Sequence, residues 1–377
     1  MNLFLDGMGH YATAGIDKKY TVLNTTNATF TIAAEGRFNN ALKKVCSTGV
    51  STGYVEVAPL MTQTGVWTPN ASGVQGFAFK IDDLDTVLEA TQGNAALCNL
   101  FSIYEGVGWI LAVVLNPNGT FSVYRHHEGG FGIGSVYLGS SVQGLRSNVW
   151  SYLEFKWTIH DSAGSFKIRV NNVEVFSFTG DTSASSASQS FTNVWNVTRY
   201  LQLASNAGGG GPHPTMWMCD AYLLDQAGSG DEARDFLGDG AFDYIIPDGI
   251  GNDDGFTPLA GDNWENVEEV PPDDDTTYVS ATAPSTRDSH TMSNLPAGTV
   301  PIIFQTLIYA RKETEGAAGI KPTYREAGVT YDANEQGIAT PDAYRYIIQP
   351  YDTNPATSAT ITEAEVNAGE FGYVKES

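Results

Sequence analysis

The stretch NVWSYLEFKWTIHDSAGSFKIRVNNVEVFSFTG, residues 148–180, carries the alternation that decides the fold. Leu153, Phe155 and Trp157 alternate with polar or charged residues, which predicts a strand with one buried face. A second alternating strand follows, and the pair Asn171–Asn172 fits a two-residue hairpin turn into a third strand. Such an antiparallel meander must cover its apolar face, so a second sheet is expected, with Trp157 in the core between the two sheets.

The composition favours an all-β protein. The chain has 377 residues, enough for two ordinary domains, and contains 40 Gly, 18 Tyr and 18 Phe. Long stretches with helical periodicity are absent from the sequence, and no apolar run reaches the roughly 18 residues of a membrane span. The first residues lack the basic and apolar regions of a signal peptide, so none is expected.

The charge and the cysteines exclude several functions. The net charge of −23 leaves no basic stripe for nucleic acid and argues against anionic membranes, so neither partner is expected. Cys46, Cys98 and Cys219 lie far apart and form no metal-binding pair. We expect reduced thiols and no cofactor.

Three regions follow along the chain. Residues 1–226 show strand patterns typical of a two-sheet jelly-roll sandwich. Residues 227–275 are an acidic, Gly- and Pro-rich linker, whose aromatic and aliphatic side chains could pin it against a folded surface. Residues 276–377 predict a second, smaller β-sandwich. It contains one short helix, with Thr362 as N-cap and Glu365 as its capping-box partner.

The sequence offers no catalytic constellation. A jelly-roll glycanase needs two carboxylates in one cleft, and KIDDLDTVLEA, residues 80–90, lacks the leading Glu of that pattern. GGFGIGS, residues 129–135, has glycines but no strand–helix context for a phosphate loop. The HExxH motif of zinc peptidases does not occur. We therefore predict no catalytic residue and expect a protein that is not an enzyme.

Two weaker kinds of site remain open. Asp248, Asp253 and Asp254 lie in an acidic, Gly-rich stretch and are the calcium candidates, although their spacing does not match the regular calcium loop. A solvated acidic turn is the alternative. Candidate glycan contacts are aromatic residues on or near strands, each with a place in the core as its alternative. These residues are Trp109, Tyr124, Phe131 and Trp150.

Several segments together resemble a known family. They include GHYATAGIDKKYTV (9–22), CDAYLLDQAGSGDEARDFLGDGAFDYIIPDG (219–249) and ITEAEVNAGEFGY (361–373). Across nearly the whole chain the sequence resembles virion structural proteins of tailed bacteriophages that carry an N-terminal concanavalin A-like (laminin-G-like) jelly roll. Met218-Cys219-Asp220 departs from the expected Ile-Asp-Asp, which weakens any calcium site of the laminin-G kind.

The resemblance implies a role and a location. We expect a virion protein of the tail or a tail appendage, with other virion proteins as partners and a lectin-like domain that contacts host surface glycans. A capsid (head) decoration protein is the first alternative, a free carbohydrate-binding module the second, and a jelly-roll glycanase the last. Jelly rolls host all of these, so the fold alone does not choose among them.

The sequence also suggests assembly. VPIIFQTLIYA, residues 300–310, is apolar on both faces of its predicted strand. One face fits the core of the small sandwich, and the other needs the linker aromatics, the first domain or a neighbouring subunit. Because phage appendages are symmetric and sandwich edges need cover, we expect a homo-oligomer, with a trimer as the working copy number.

Overall fold

The computed structural model describes residues 2–47, 53–57, 70–87, 99–105, 108–127, 135–186, 190–202, 214–226, 235–338 and 340–377. The first strands are β1 (Asn2–Asp6), β2 (Val22–Asn24), β3 (Ala28–Ala33), β4 (Ala41–Cys46), β5 (Tyr54–Val57), β6 (Ser72–Ile81), β7 (Asn99–Glu105), β8 (Gly108–Leu115), β9 (Phe121–His126) and β10 (Ser135–Ser140). Next come β11 (Ser151–Thr158), β12 (Gly164–Val170), β13 (Val173–Gly180), β14 (Val197–Gln202) and β15 (Thr215–Asp225).

The remaining strands follow residue 246. They are β16 (Pro247–Asp254), β17 (Thr257–Pro258), β18 (Val279–Ser280), β19 (Thr286–Met292), β20 (Phe304–Ala310), β21 (Gly319–Glu326), β22 (Val329–Asp332), β23 (Gln336–Gly337), β24 (Arg345–Tyr351) and β25 (Glu370–Lys375). The α-helices among the described residues are α1 (Ile16–Lys19) and α2 (Glu363–Ala368), and neither is long enough to cross a membrane. The predicted all-β fold class is confirmed.

The first fifteen strands form a sandwich of two antiparallel sheets. Sheet A has the order β13-β12-β11-β6-β15-β4-β3, with β1 also paired to β15, and sheet B has the order β10-β9-β8-β7-β14-β5-β2. The sheets meet through aromatic side chains. The rings of Phe101 and Phe155 stack with centroids 4.5 Å apart, and Trp157 meets Trp195 edge-on at 5.3 Å. The predicted two-sheet jelly-roll sandwich is confirmed.

The meander of residues 148–180 folds as its alternation indicates. β11 pairs with β12 in register from Leu153–Val170 to Thr158–Ser165, so the apolar residues share one face. Asn171 and Asn172 have φ values of 49° and 67°, which the two-residue hairpin turn requires. The side chain of Trp157 is fully buried, as predicted.

The C-terminal part contains a smaller sandwich. Its sheet C has the order β16-β19-β25-β21-β22, with β23 beside β21, and the two-stranded sheet β20–β24 packs on it. Ile308 of β20 and Ile347 of β24 contact Tyr373 of β25 in one apolar cluster. Helix α2 begins with the predicted capping box: Thr362 and Glu365 each accept a hydrogen bond from the other's backbone N–H.

Part of the predicted linker is folded into these sheets. β16 pairs with β19 at the edge of sheet C, although its residues fall within the predicted linker 227–275. Residues 235–246, which we call the strap, cross the outer face of sheet A. Gly238 N donates to Glu154 Oε1 at 2.8 Å, and Phe242 N donates to Asp220 Oδ1 at 3.1 Å. The expected pinning of the linker is thus observed for the strap, while the boundaries 1–226, 227–275 and 276–377 stay a prediction.

Strand β20 uses both of its apolar faces within the chain. Ile308 packs into the cluster of sheet C, whereas Leu307 and Tyr309 pack against the core of the first sandwich. Gln305 fixes this junction: its Nε2 donates to Leu5 O at 2.6 Å, and its Oε1 accepts from Leu5 N at 3.1 Å. Of the three covers considered for the second face, the first domain supplies it. The apolar strand therefore no longer argues for a neighbouring subunit.

Candidate functional site

The outer face of sheet B carries an aromatic cluster that is separate from the core. In β7, β8 and β9 the period of two sends one set of residues to the core and the other set outward. The outward set is Tyr104, Trp109, Ala112, Val114 and Tyr124, each at most 8% exposed. An apolar cluster on the outer side of a sandwich requires an explanation, because the core already fills the inner side.

Tyr137 extends this cluster to the surface. It lies on β10 opposite Tyr124 in the register, and the two ring centroids are 5.5 Å apart. The Tyr137 side chain is 47% exposed, and its hydroxyl lies 2.6 Å from Ser140 Oγ. We call Tyr104, Trp109, Tyr124 and Tyr137 the aromatic face. At its exposed end, the Tyr137 ring packs against the buried ring of Tyr124.

His126 adds polar atoms to the buried end of the aromatic face. Its ring lies 5.0 Å from Trp109 and 5.2 Å from Phe191, and the residue is 4% exposed. Among the residues that the structure describes, neither ring nitrogen of His126 has a hydrogen-bond partner, and Trp109 Nε1 also has none. Burial, together with His127, lowers the pKa of His126, so its imidazole is neutral at pH 7. Buried polar atoms without partners are uncommon and mark this part of the sheet as unusual.

Arg199 lies at the Tyr104 end of the aromatic face. Its guanidinium lies between the rings of Tyr54 and Tyr104, 3.9 Å from each centroid. It pairs with Glu56 at 2.9 Å and donates to Tyr104 Oη at 2.8 Å. Burial raises the pKa of Tyr104 to about 12, so the phenol stays protonated. These contacts fix the position of the Arg199 side chain, and the Glu56 carboxylate balances its charge.

The structure brings together two of the four predicted glycan contacts. Trp109 and Tyr124 share the aromatic face, but they are 3% and 4% exposed, so neither presents a free ring face to a sugar. We therefore correct their predicted role: instead of contacting a glycan directly, these two rings support the aromatic face from inside. Trp150 lies elsewhere, half-buried at the start of sheet A's β11, with Lys80 Nζ 5.2 Å from its ring centroid. Phe131 falls outside the described residues.

Sequence reasoning missed Tyr137. The signal was present, since in SVYLGS, residues 135–140, a tyrosine stands between two aliphatic residues and so faces away from them on a strand. The sequence did not show that this strand lies at the edge of sheet B, where its tyrosine stays exposed.

The calcium candidates do not converge. Along β16 the burial alternates, with Asp248 and Asp254 on the exposed side and Asp253 on the opposite side. Asp248 Oδ1 accepts a hydrogen bond from Thr291 Oγ1 at 3.1 Å. Within the described ranges no group of three acidic, His or Cys side chains could hold a metal ion. The alternation of the strand separates the three carboxylates, so the calcium site is not supported.

No protein-family model and no curated protein matches the chain. Similar solved structures include an alginate lyase, with a TM-score of 0.39 and 10% identity over 59% of this chain and 96% of that one. A carbohydrate esterase from the Shiga toxin-encoding bacteriophage phi24B has a TM-score of 0.33 and 15% identity over 58% and 98%. A carbohydrate-binding module from Bacillus subtilis has a TM-score of 0.28 and 10% identity over 53% and 96%.

These similarities correct one expectation. The chain was expected not to be an enzyme, yet the structures it resembles include a lyase and an esterase. The expectation that the chain is not an enzyme is withdrawn. The likeness extends to the fold alone, at identities of 10–15%.

Proposed function

We propose that the first sandwich binds glycans through the aromatic face of sheet B. The observation that carries this proposal is Tyr137, a tyrosine ring that is 47% exposed and lies against buried Tyr124. Sugars offer C–H faces that pack on aromatic rings and hydroxyl groups that need hydrogen-bond partners. The Tyr137 hydroxyl and Ser140 Oγ, which lie at the exposed end of this face, supply such partners.

The experiment is a glycan array probed with the full chain and with Tyr137→Ala. Loss of the exposed ring should weaken binding by about tenfold, the effect expected for one aromatic contact. Tyr244→Ala is the matched control, because Tyr244 is 43% exposed but lies on the strap. Equal binding by all three proteins would contradict the proposal. Analysis of the bound glycans for cleavage products tests catalysis in the same experiment.

We further propose that the chain is a virion component of a tailed bacteriophage, in the tail or a tail appendage, where the aromatic face meets host surface glycans. The sequence resemblance across nearly the whole chain supports this role. Capsid decoration is the alternative location, and a free carbohydrate-binding module is the alternative outside a virion. The exposed position of Tyr137 suits contact with a partner outside the particle.

Purified particles test the virion role. We expect the chain to copurify at a fixed copy number per particle, in a homo-oligomer for which a trimer is the working stoichiometry. The measurement is quantitative mass spectrometry of particles together with the mass of the purified protein in solution. A chain found in the lysate and absent from particles would contradict the virion role. It would leave glycan binding to the array experiment.

A further inference from the structure

We infer that the glycan bound at the aromatic face is neutral, without carboxylate or sulfate groups. This inference rests on the proposed glycan binding and names its ligand class. It follows from the distribution of cationic side chains over the molecule.

Sheet B, as far as the structure describes it, offers no cation that is free to meet an anion. Its seven described strands contain no lysine and two arginines, Arg125 and Arg199. Each arginine has a carboxylate partner at 2.9 Å, Asp181 for Arg125 and Glu56 for Arg199. Recognition of an acidic sugar normally uses an arginine or lysine as a charged donor, and here both are already occupied.

The sequence between consecutive strands of sheet B is also poor in cations. The stretches 106–107, between β7 and β8, and 128–134, between β9 and β10, contain no Lys or Arg. By contrast, the strands of sheet A carry five lysines: Lys43, Lys44, Lys80, Lys156 and Lys167. The chain has 20 basic residues in all, so their absence from sheet B is not a consequence of a small total.

The electrostatics oppose an anionic ligand at this face. The chain carries a net charge of −23, which repels anions at long range. At short range, an acidic sugar would lose water without gaining a compensating cation. A neutral sugar has no such penalty, and its hydroxyl groups can both donate and accept.

The test uses matched pairs of a neutral polysaccharide and its carboxymethyl derivative, with the full chain as the binding protein. In about 10 mM salt, where the Debye length is about 30 Å, we expect at least about tenfold tighter binding to the neutral member. In about 1 M salt, where that length is about 3 Å, the difference should narrow. Equal or tighter binding to the carboxymethyl member in low salt would overturn the inference. If no glycan of either kind binds, the proposed function itself fails.

A substitution sharpens the test. Glu56→Gln removes the carboxylate that neutralises Arg199, so the ratio of carboxymethyl to neutral binding should rise in low salt. Glu174→Gln is the matched control, because Glu174 pairs with Lys167 at 3.0 Å in sheet A and should leave the ratio unchanged. Thermal unfolding of both variants verifies that they fold. An unchanged ratio in a folded Glu56→Gln, or the same rise in both variants, would contradict the inference.

Discussion

Two of the buried carboxylates, Asp6 and Asp288, lie in different parts of the molecule, and their surroundings differ in one respect. Asp6 lies at the end of β1, beside the junction of the two sandwiches, and is 1% exposed. Its Oδ1 is 3.5 Å from Lys19 Nζ and accepts from Met8 N at 2.9 Å, while Oδ2 accepts from Tyr11 Oη at 2.7 Å. Burial acts to raise the pKa of Asp6, but Lys19 and His10 with these hydrogen bonds outweigh it, and the pKa lies below its ordinary value.

Asp288 lies in the middle of sheet C and is 0% exposed. Asn263 Nδ2 donates to both of its oxygens, at 3.0 and 2.9 Å, but among the described residues no lysine or arginine contacts it. His290 lies 3.9 Å away, and burial lowers its pKa to about 4, so it is neutral at pH 7. Burial raises the pKa of Asp288 to about 7, against the opposite effect of Asn263.

The comparison shows that a neighbouring cation, rather than burial, decides the charge of a buried carboxylate. It also gives the two regions opposite dependence on pH. The lowered pKa of Asp6 contributes stability above its unfolded pKa of about 3.8, and that stability is lost as the pH falls. Folded Asp288 binds its proton more tightly than the unfolded chain does, so its contribution is lost as the pH rises from about 4 to about 7.

Removal of the Lys19 cation beside Asp6 should have the largest effect on the stability of the protein. Lys19→Met leaves the Asp6 carboxylate buried without its ion partner, and we expect a loss of about 3–5 kcal/mol in the free energy of unfolding at pH 7. Urea unfolding measures it. Lys18→Met is the control, because Lys18 is 30% exposed and its ion pair with Asp274 should be worth less than about 1 kcal/mol. Equal losses in the two variants would show that Asp6 does not depend on Lys19.

A pH series on Asp288→Asn isolates the second carboxylate. The variant carries no charge at this buried position, so its stability relative to the natural protein should increase by about 2–3 kcal/mol from pH 5 to pH 8, since one pKa unit corresponds to about 1.4 kcal/mol. Thermal or urea unfolding at both pH values gives this difference. Asp248→Asn, an exposed position in the same sheet, should show no such trend. A relative stability that stays constant with pH would refute the raised pKa of Asp288.

The smallest effect on stability is expected from removal of the Asn263 amide, which contacts Asp288 in the way that Lys19 contacts Asp6. Asn263→Ala removes the donor to both Asp288 oxygens and to Phe256 O, and should cost about 1–3 kcal/mol. Because the amide favours the ionised carboxylate, the loss should be larger at pH 8 than at pH 5. Unfolding curves at the two pH values test both points. A loss that is the same at pH 5 and pH 8 would mean that Asn263 has only a packing role.

Local features of the sequence predicted local structure well. The alternation around Trp157, the positive φ of Asn171 and Asn172, and the capping box of Thr362 and Glu365 are all present. Each depends on residues a few positions apart, whose spacing determines which face a side chain takes or which dihedral angle is allowed. The candidate site was predicted less well: a buried position for Trp109 and Tyr124 was considered, but their cluster on the outer face of sheet B and the exposed Tyr137 beside it were not foreseen.

By itself, the sequence determined that the chain is all-β, where a meander turns and where a helix begins, because these follow from periodicity and backbone angles. The tertiary structure alone decided which residues meet across long separations: Gln305 with Leu5, the strap with Glu154, and Tyr137 with Tyr124 at the edge of sheet B. It also decided that Asp6 has a cation beside it whereas Asp288 has an amide. Both are acidic residues in strands, and their charge depends on neighbours that only folding brings within a few ångströms.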